Sequence, residues 1–132
     1  MDTAAGLGRI AGRGPCAGIP VEQMDSIRQV LDRVGDKWSL LVIVVLDGGP
    51  LRYTDLLRQV PGISQRMLTL TVRQLQQDGL ITRTAYAEVP PRVEYALAPL
   101  GRGLLEIVTS LVRWASDHHE EISEHRARAT TP

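Results

Sequence analysis

Between Leu51 and Ala98 the spacing of apolar residues switches from helical to alternating, and the breakers at each switch leave the chain few options. The stretch reads as a short helix from Tyr53 to Val60, a turn at Pro61-Gly62-Ile63, and a longer helix that starts near Ser64 and stops at Asp78-Gly79. Two strands follow, Leu80 to Tyr86 and Arg92 to Ala98, with Glu88-Val89-Pro90-Pro91 between them. Leu68, Val72 and Leu75 recur at i, i+4 and i+7, which gives the longer helix one core-facing stripe. Val93, Tyr95 and Leu97 alternate with Arg92, Glu94 and Ala96, the period of a half-buried strand. Two helices joined by a glycine-containing turn make a helix-turn-helix, a layout that lays its second helix in a DNA major groove. The hairpin directly behind that helix makes the expected motif a winged one.

The face of the longer helix opposite its core stripe carries Gln65, Arg66, Thr69, Leu70 and Arg73, with Ser64 at its start. Arginine pairs bidentately with guanine, glutamine with adenine, and a threonine or leucine can touch a thymine methyl. Leu70 has two readings, a methyl contact or a side chain tucked against Tyr53. Arg52 and Arg58, before and on the short helix, can face the phosphate backbone. Arg83 and Arg92 flank the hairpin tip and are candidates for phosphate or minor-groove contact, the alternative being solvated strand arginines. The expected DNA contacts are therefore Arg52, Ser64, Gln65, Arg66, Thr69, Arg73, Arg83 and Arg92.

Around this centre the rest of the chain supplies support. Residues 1–20 hold six glycines and prolines in close succession beyond Gly6 and read as a flexible arm. Residues 21–126 read as one domain and 127–132 as a disordered tail. Val21 to Val34 is expected to be a helix, with Met24, Ile27, Val30, Leu31 and Val34 on one face. Asp36 then caps a second helix from Lys37 to Leu46, stopped by Gly48-Gly49-Pro50. The run Val42-Ile43-Val44-Val45 argues for a strand on propensity alone, but the caps favour a helix buried nearly all round. Gly101 to about Arg126 is the last helix. It carries two apolar stripes, one of Leu104, Leu105, Val108, Leu111, Val112 and Ala115, the other of Ile107, Leu111, Trp114 and His118. The surplus stripe points to a partner helix, most simply that of a second subunit. Ile27, Leu31, Ile107, Leu111, Trp114 and His118 are the expected dimer contacts. A fold-back onto the Val21–Val34 helix within one chain is the alternative, and both can hold together. A ligand cavity is expected near Trp38, Trp114 and the two terminal helices.

The formal net charge is zero, so the bulk balance gives no argument for nucleic acid. The local balance does: from Arg52 to Arg92 six arginines face three acids, a surplus of +3, while from Leu100 onward four arginines meet five acids. An apolar fraction of 43% over 132 residues is enough for one domain with one core. The longest apolar run, Leu40 to Leu46, is too short to span a bilayer, and the start of the chain lacks a signal peptide's pattern, so a soluble cytoplasmic protein is expected. One cysteine, Cys16, excludes an internal disulfide framework. His118, His119 and His125 lie among acids on the last helix, where a solvated face explains them better than a metal site. No nucleophile–base arrangement and no glycine-rich phosphate loop is present, so neither an enzyme nor a cofactor is expected.

Several pieces in register resemble one family. They are Gly35-Asp36-Lys37-Trp38-Ser39-Leu40-Leu41, Arg52-Tyr53 before Asp55-Leu56, Pro61 through Thr69, Leu75 through Arg83, and Tyr86 through Leu97 followed by Gly101. Together they resemble the HxlR family of winged helix-turn-helix regulators, relatives of the MarR type. The resemblance implies a mostly α fold with a small β-hairpin wing, dimerising through its terminal helices. It implies a homodimer on double-stranded DNA with a pseudo-palindromic operator, repressing or activating nearby genes, with repression the expected sign. It also implies a response to a small molecule, an electrophile or oxidative stress, for which Cys16 is the redox candidate. Many members carry a sensing cysteine just ahead of the first helix, typically followed by proline; here Ala17 follows Cys16, and Lys37 lies 21 residues on. Ala98 replaces the usual threonine before the last helix, which removes a capping oxygen worth about 1 kcal/mol. The rival reading is a winged helix that meets a protein, without specific DNA binding.

Overall fold

Asp36 divides the first two helices and sets the start of the second. The computed structural model describes residues 17–130; Cys16 and residues 1–16 of the expected arm lie outside them, as do 131–132. A single 3-10 turn, Val21–Gln23, leads into α1, Met24–Gly35. The Asp36 carboxylate accepts from the Trp38 N–H at 3.2 Å and from the Ser39 hydroxyl at 2.8 Å, satisfying donors that the first turn of α2, Lys37–Val45, leaves open. The β-branched run therefore lies in a helix, because capping and burial outweigh its strand propensity. The helix is not buried nearly all round, however. Ser39, Val42 and Ile43 are buried, but Leu41 and Val44 are exposed, since no described element covers that side.

β1, Leu51–Arg52, comes before α3, Tyr53–Gln59, and α4, Gln65–Gln77. The wing strands are β2, Ile81–Tyr86, and β3, Arg92–Leu97. β1 was not expected from the sequence. Two residues are too few to show a period, and the strand exists only because Leu51 pairs with Tyr95 and Arg52 with Glu94. The sheet is antiparallel in the order β1-β3-β2, with Ile81 opposite Leu97 and Tyr86 opposite Arg92. One core joins Val42, Ile43 and Leu46 of the α2 region to Leu56, Leu68, Val72 and Leu75 of the helix pair, to Ile81, Tyr95 and Leu97 of the wing, and to Leu104 and Val108 of the last long helix.

The end of α4 shows why the wing starts where it does. Gly79, with φ +76°, donates its N–H to the Gln76 carbonyl at 3.0 Å, and Leu80 donates to Leu75 at 2.9 Å. This is a Schellman closure, in which the left-handed residue favours glycine and the two leucines pack together. The Leu80 carbonyl then accepts from the Ala98 N–H at 3.0 Å, and α5, Pro99–Asp117, begins against it. Ala98 offers no side-chain cap, as expected, and Pro99 occupies the first helical position. Gly101 is required by a close approach: a Cβ there would collide with the Leu80 carbonyl oxygen and lie 3.3 Å from the Leu97 side chain.

The expected single final helix is two helices. His118, at φ −109° and ψ 13°, separates α5 from α6, His119–Ala129. Its ring stacks on Trp114 with centroids 4.9 Å apart, and Nδ1 lies 2.8 Å from the Trp114 carbonyl oxygen. α6 also runs to Ala129, so the expected tail at 127–132 is helical over its first three residues. Among the described residues no helix is long and apolar enough to cross a membrane.

Candidate nucleic-acid interface

The exposed face of α4 is set by its own start. The Ser64 hydroxyl oxygen accepts from the Met67 N–H at 3.1 Å, which caps the helix and leaves the hydroxyl proton at its positive end. From there Leu68, Val72 and Leu75 turn inward as expected, joined by Thr71, which the sequence did not single out. Gln65, Arg66, Thr69, Leu70 and Arg73 are all exposed. Leu70 stands 45% exposed on this face, an uncovered apolar group among polar ones. Tyr53 meets the same helix through its hydroxyl, at Gln65 and Thr69.

The wing brings a second cation to the same helix. Thr69, Val72, Arg73 and Gln76 of α4 line a groove of about 160 Å³ with Arg83 of β2 and Tyr95 of β3. Two arginines ten residues apart, one on α4 and one on β2, thus face one cleft between that helix and the wing. Among the described residues, Arg52, Arg66, Arg73 and Arg83 form no ion pair. The other two arginines of the basic stretch are already occupied. Arg58 lies 2.7 Å from Asp55. Arg92 lies 2.9 Å from Glu88 and 3.3 Å from Glu94, and its guanidinium sits 4.0 Å over the Tyr86 ring. Arg92 therefore fastens the two sides of the wing, while Arg83 stays open. The local surplus of +3 is a chain average; pairing concentrates it on the arginines that remain free. Gln76 and Tyr95 belong to this groove and escaped sequence reading, since only the helix–wing packing places them there.

The expected dimer residues lie on a broad uncovered surface. Leu31, Ile107, Leu111 and Trp114 are exposed, Trp114 by 55%, while Ile27 is half-buried and His118 rests on Trp114. Every residue from Thr109 to Asp117 is exposed, so the second half of α5 has no cover from the described residues. A cavity of about 360 Å³ opens between α1 and α5, lined by Val30, Arg33, Asp78, Leu80, Leu104 and Ile107 among others. It is not the cavity expected at Trp38 and Trp114: Trp38 packs on the core, near Gly62, and Trp114 is stacked on His118. Among the described residues no three His, Cys, Asp or Glu side chains are grouped to hold a metal ion.

The model of one protein family, the HxlR-like helix-turn-helix proteins, matches residues 33–123. An HTH-type transcriptional regulator of Methanothermobacter thermautotrophicus is 41% identical over 108 residues, covering 80% of this chain and 82% of the relative. Among solved structures, a transcriptional regulator, ytfH, from Salmonella typhimurium superposes with a TM-score of 0.67 at 37% identity, covering 76% of this chain and 89% of that one. The reduced form of the redox regulator HypR superposes with a TM-score of 0.68 at 35% identity, covering 75% of this chain and 98% of that one.

Proposed function

The chain belongs to the HxlR-like helix-turn-helix family of transcriptional regulators, and on that premise we propose that it binds a pseudo-palindromic DNA operator as a homodimer and represses nearby genes. The observation that carries this reading is the cleft between α4 and the wing. Arg73 and Arg83 face it from two elements, Arg66 and Gln65 extend the same helix face, and none of these arginines has an ion-pair partner among the described residues. Unpaired guanidinium groups beside an exposed polar helix suit a polyanion whose grooves carry hydrogen-bonding edges. In this reading Gln65, Arg66 and Thr69 reach base edges, whereas Arg52, Ser64, Arg73 and Arg83 hold phosphates. Arg92 serves the wing's own structure.

The test is a salt titration of binding to DNA upstream of the protein's own gene and to a random fragment library, with competitor DNA present. Tight, competitor-resistant binding that falls steeply with salt is expected. Binding without sequence preference at low salt, on every fragment, would give the α4 face to a protein partner instead.

Cys16 favours a second, additive reading. It is the chain's single thiol, and the structural neighbour HypR is named a redox regulator. Added hydrogen peroxide takes two electrons and two protons from a pair of Cys16 thiols, one per subunit, and joins them as a disulfide. Loss of operator binding with peroxide, restored by a dithiol and absent in Cys16→Ser, is the expected outcome.

A further inference from the structure

The Tyr53 hydroxyl touches the recognition helix twice. It donates to the Gln65 carbonyl at 2.8 Å and lies 2.9 Å from the Thr69 hydroxyl oxygen. A phenol has one proton, so once it is given to Gln65 the Thr69 hydroxyl must be the donor in the second contact. Thr69 is thereby held in one rotamer, with its own proton spent inward and only acceptor lone pairs left for anything outside. Tyr53 is itself held, because it follows directly on β1, whose Leu51 and Arg52 pair with Tyr95 and Glu94 of the wing. One side chain thus ties the rotation of α4 to the sheet that carries Arg83.

We propose that Tyr53 is a specificity-determining positioning residue, which touches no DNA and makes Thr69 read a base edge as an acceptor. The inference rests on the DNA-binding reading above. The base edge that suits an acceptor-only hydroxyl is a major-groove amino group, the N4 amino of cytosine or the N6 amino of adenine. The guanine O6 and thymine O4 offer only lone pairs and are disfavoured. Tyr53→Phe keeps the half-buried ring packed against the core and removes one oxygen, so Thr69 regains a free proton and a choice of rotamers. Discrimination at the base pair under Thr69 then falls by roughly fivefold, the worth of one hydrogen bond.

The experiment measures base preference at every operator position, by competitive binding to a randomised half-site library, for the full-length wild type, Tyr53→Phe, Thr69→Val and the double variant. The salt slope of the best site is measured in parallel. Expected is a loss of preference confined to one base pair per half-site, the same base pair in all three variants, partial in Tyr53→Phe and complete in Thr69→Val, with an unchanged salt slope. The double variant should be no worse than Thr69→Val, because without the Thr69 hydroxyl Tyr53 has nothing left to orient. A Tyr53→Phe profile identical to wild type, or an even loss across all positions, overturns the proposal while leaving specific DNA binding in place. A wild type without any base preference overturns both this inference and the DNA-binding reading.

Discussion

Arg33 Nε lies 2.6 Å from Asp78 Oδ2, which fastens the first helix to the residue that closes the recognition helix, 45 positions later. Both side chains are about a quarter exposed or less, so the pair is screened less than a surface one. Asp78→Asn should lower stability by about 1–2 kcal/mol, the worth of a charge-assisted hydrogen bond. Arg33→Leu should cost no more when Asp78 is already Asn. Urea unfolding of the two single variants and the double variant measures this; fully additive losses would mean that the two groups act independently.

Gly101 tests the joint between wing and last long helix. A methyl group at that position meets the Leu80 carbonyl, whose oxygen also accepts from Ala98. Neither partner can give way without breaking the Schellman closure of α4 or the start of α5. Gly101→Ala should therefore destabilise by about 1–3 kcal/mol, although alanine is the better helix former. Gly103→Ala, in open space on the same helix, should be stabilising by up to about 1 kcal/mol. Thermal unfolding of the pair separates close packing from helix propensity.

Thr71 is buried in the recognition helix, and its hydroxyl has no hydrogen-bond partner among the described residues. A buried hydroxyl left without a partner costs about 1–3 kcal/mol, and valine keeps its shape without the oxygen. Thr71→Val is expected to raise the urea midpoint and to leave base preference as it is. A lower midpoint would show that the hydroxyl holds a water or is otherwise satisfied.

Much of this architecture is written in short-range signals. Asp36, Ser64 and Gly79 cap or close helices where their side chains or φ freedom demand it, and the alternation around Tyr95 sets which face of the wing meets the core. What escapes is what depends on distant partners. β1 exists through Tyr95 and Glu94, and Tyr53 finds Thr69 across sixteen positions. The break at His118, within an apolar and polar pattern that continues through it, carries no glycine or proline to mark it in the sequence. The candidate contacts divide in the same way. Gln65, Arg66 and Arg73 are legible from helical spacing, but whether a wing arginine is open or engaged is decided by Glu88, Glu94 and Tyr86, which only the folded hairpin gathers round Arg92.

The two wing arginines should therefore behave differently. Arg83 faces the cleft without an ion-pair partner among the described residues, so Arg83→Ala should weaken binding on all sequences and reduce the salt slope by about one ion. Arg92→Ala should chiefly loosen the hairpin, with faster amide exchange over Ala85 to Val93 and little change in slope. Equal slopes lost in both variants would return Arg92 to the phosphate contacts.

The last prediction concerns the uncovered half of α5. Leu111 belongs to both apolar stripes of that helix, and it lies 48% exposed between Ile107 and Trp114 in sequence and on one helical face. The described residues leave it half exposed, so substitution should leave the fold alone and act on association. Leu111→Arg places a charge where two copies of the face would meet, and an unpaired charge in an apolar contact costs several kcal/mol. Sedimentation should show a dimer for the wild type and a monomer for the variant at the same micromolar concentration, with unchanged helical circular dichroism. Binding to a full palindrome should then fall to the affinity for a single half-site. A variant that stays dimeric with full palindrome affinity would move the dimer contact off α5 and onto the exposed Leu41–Val44 side of α2.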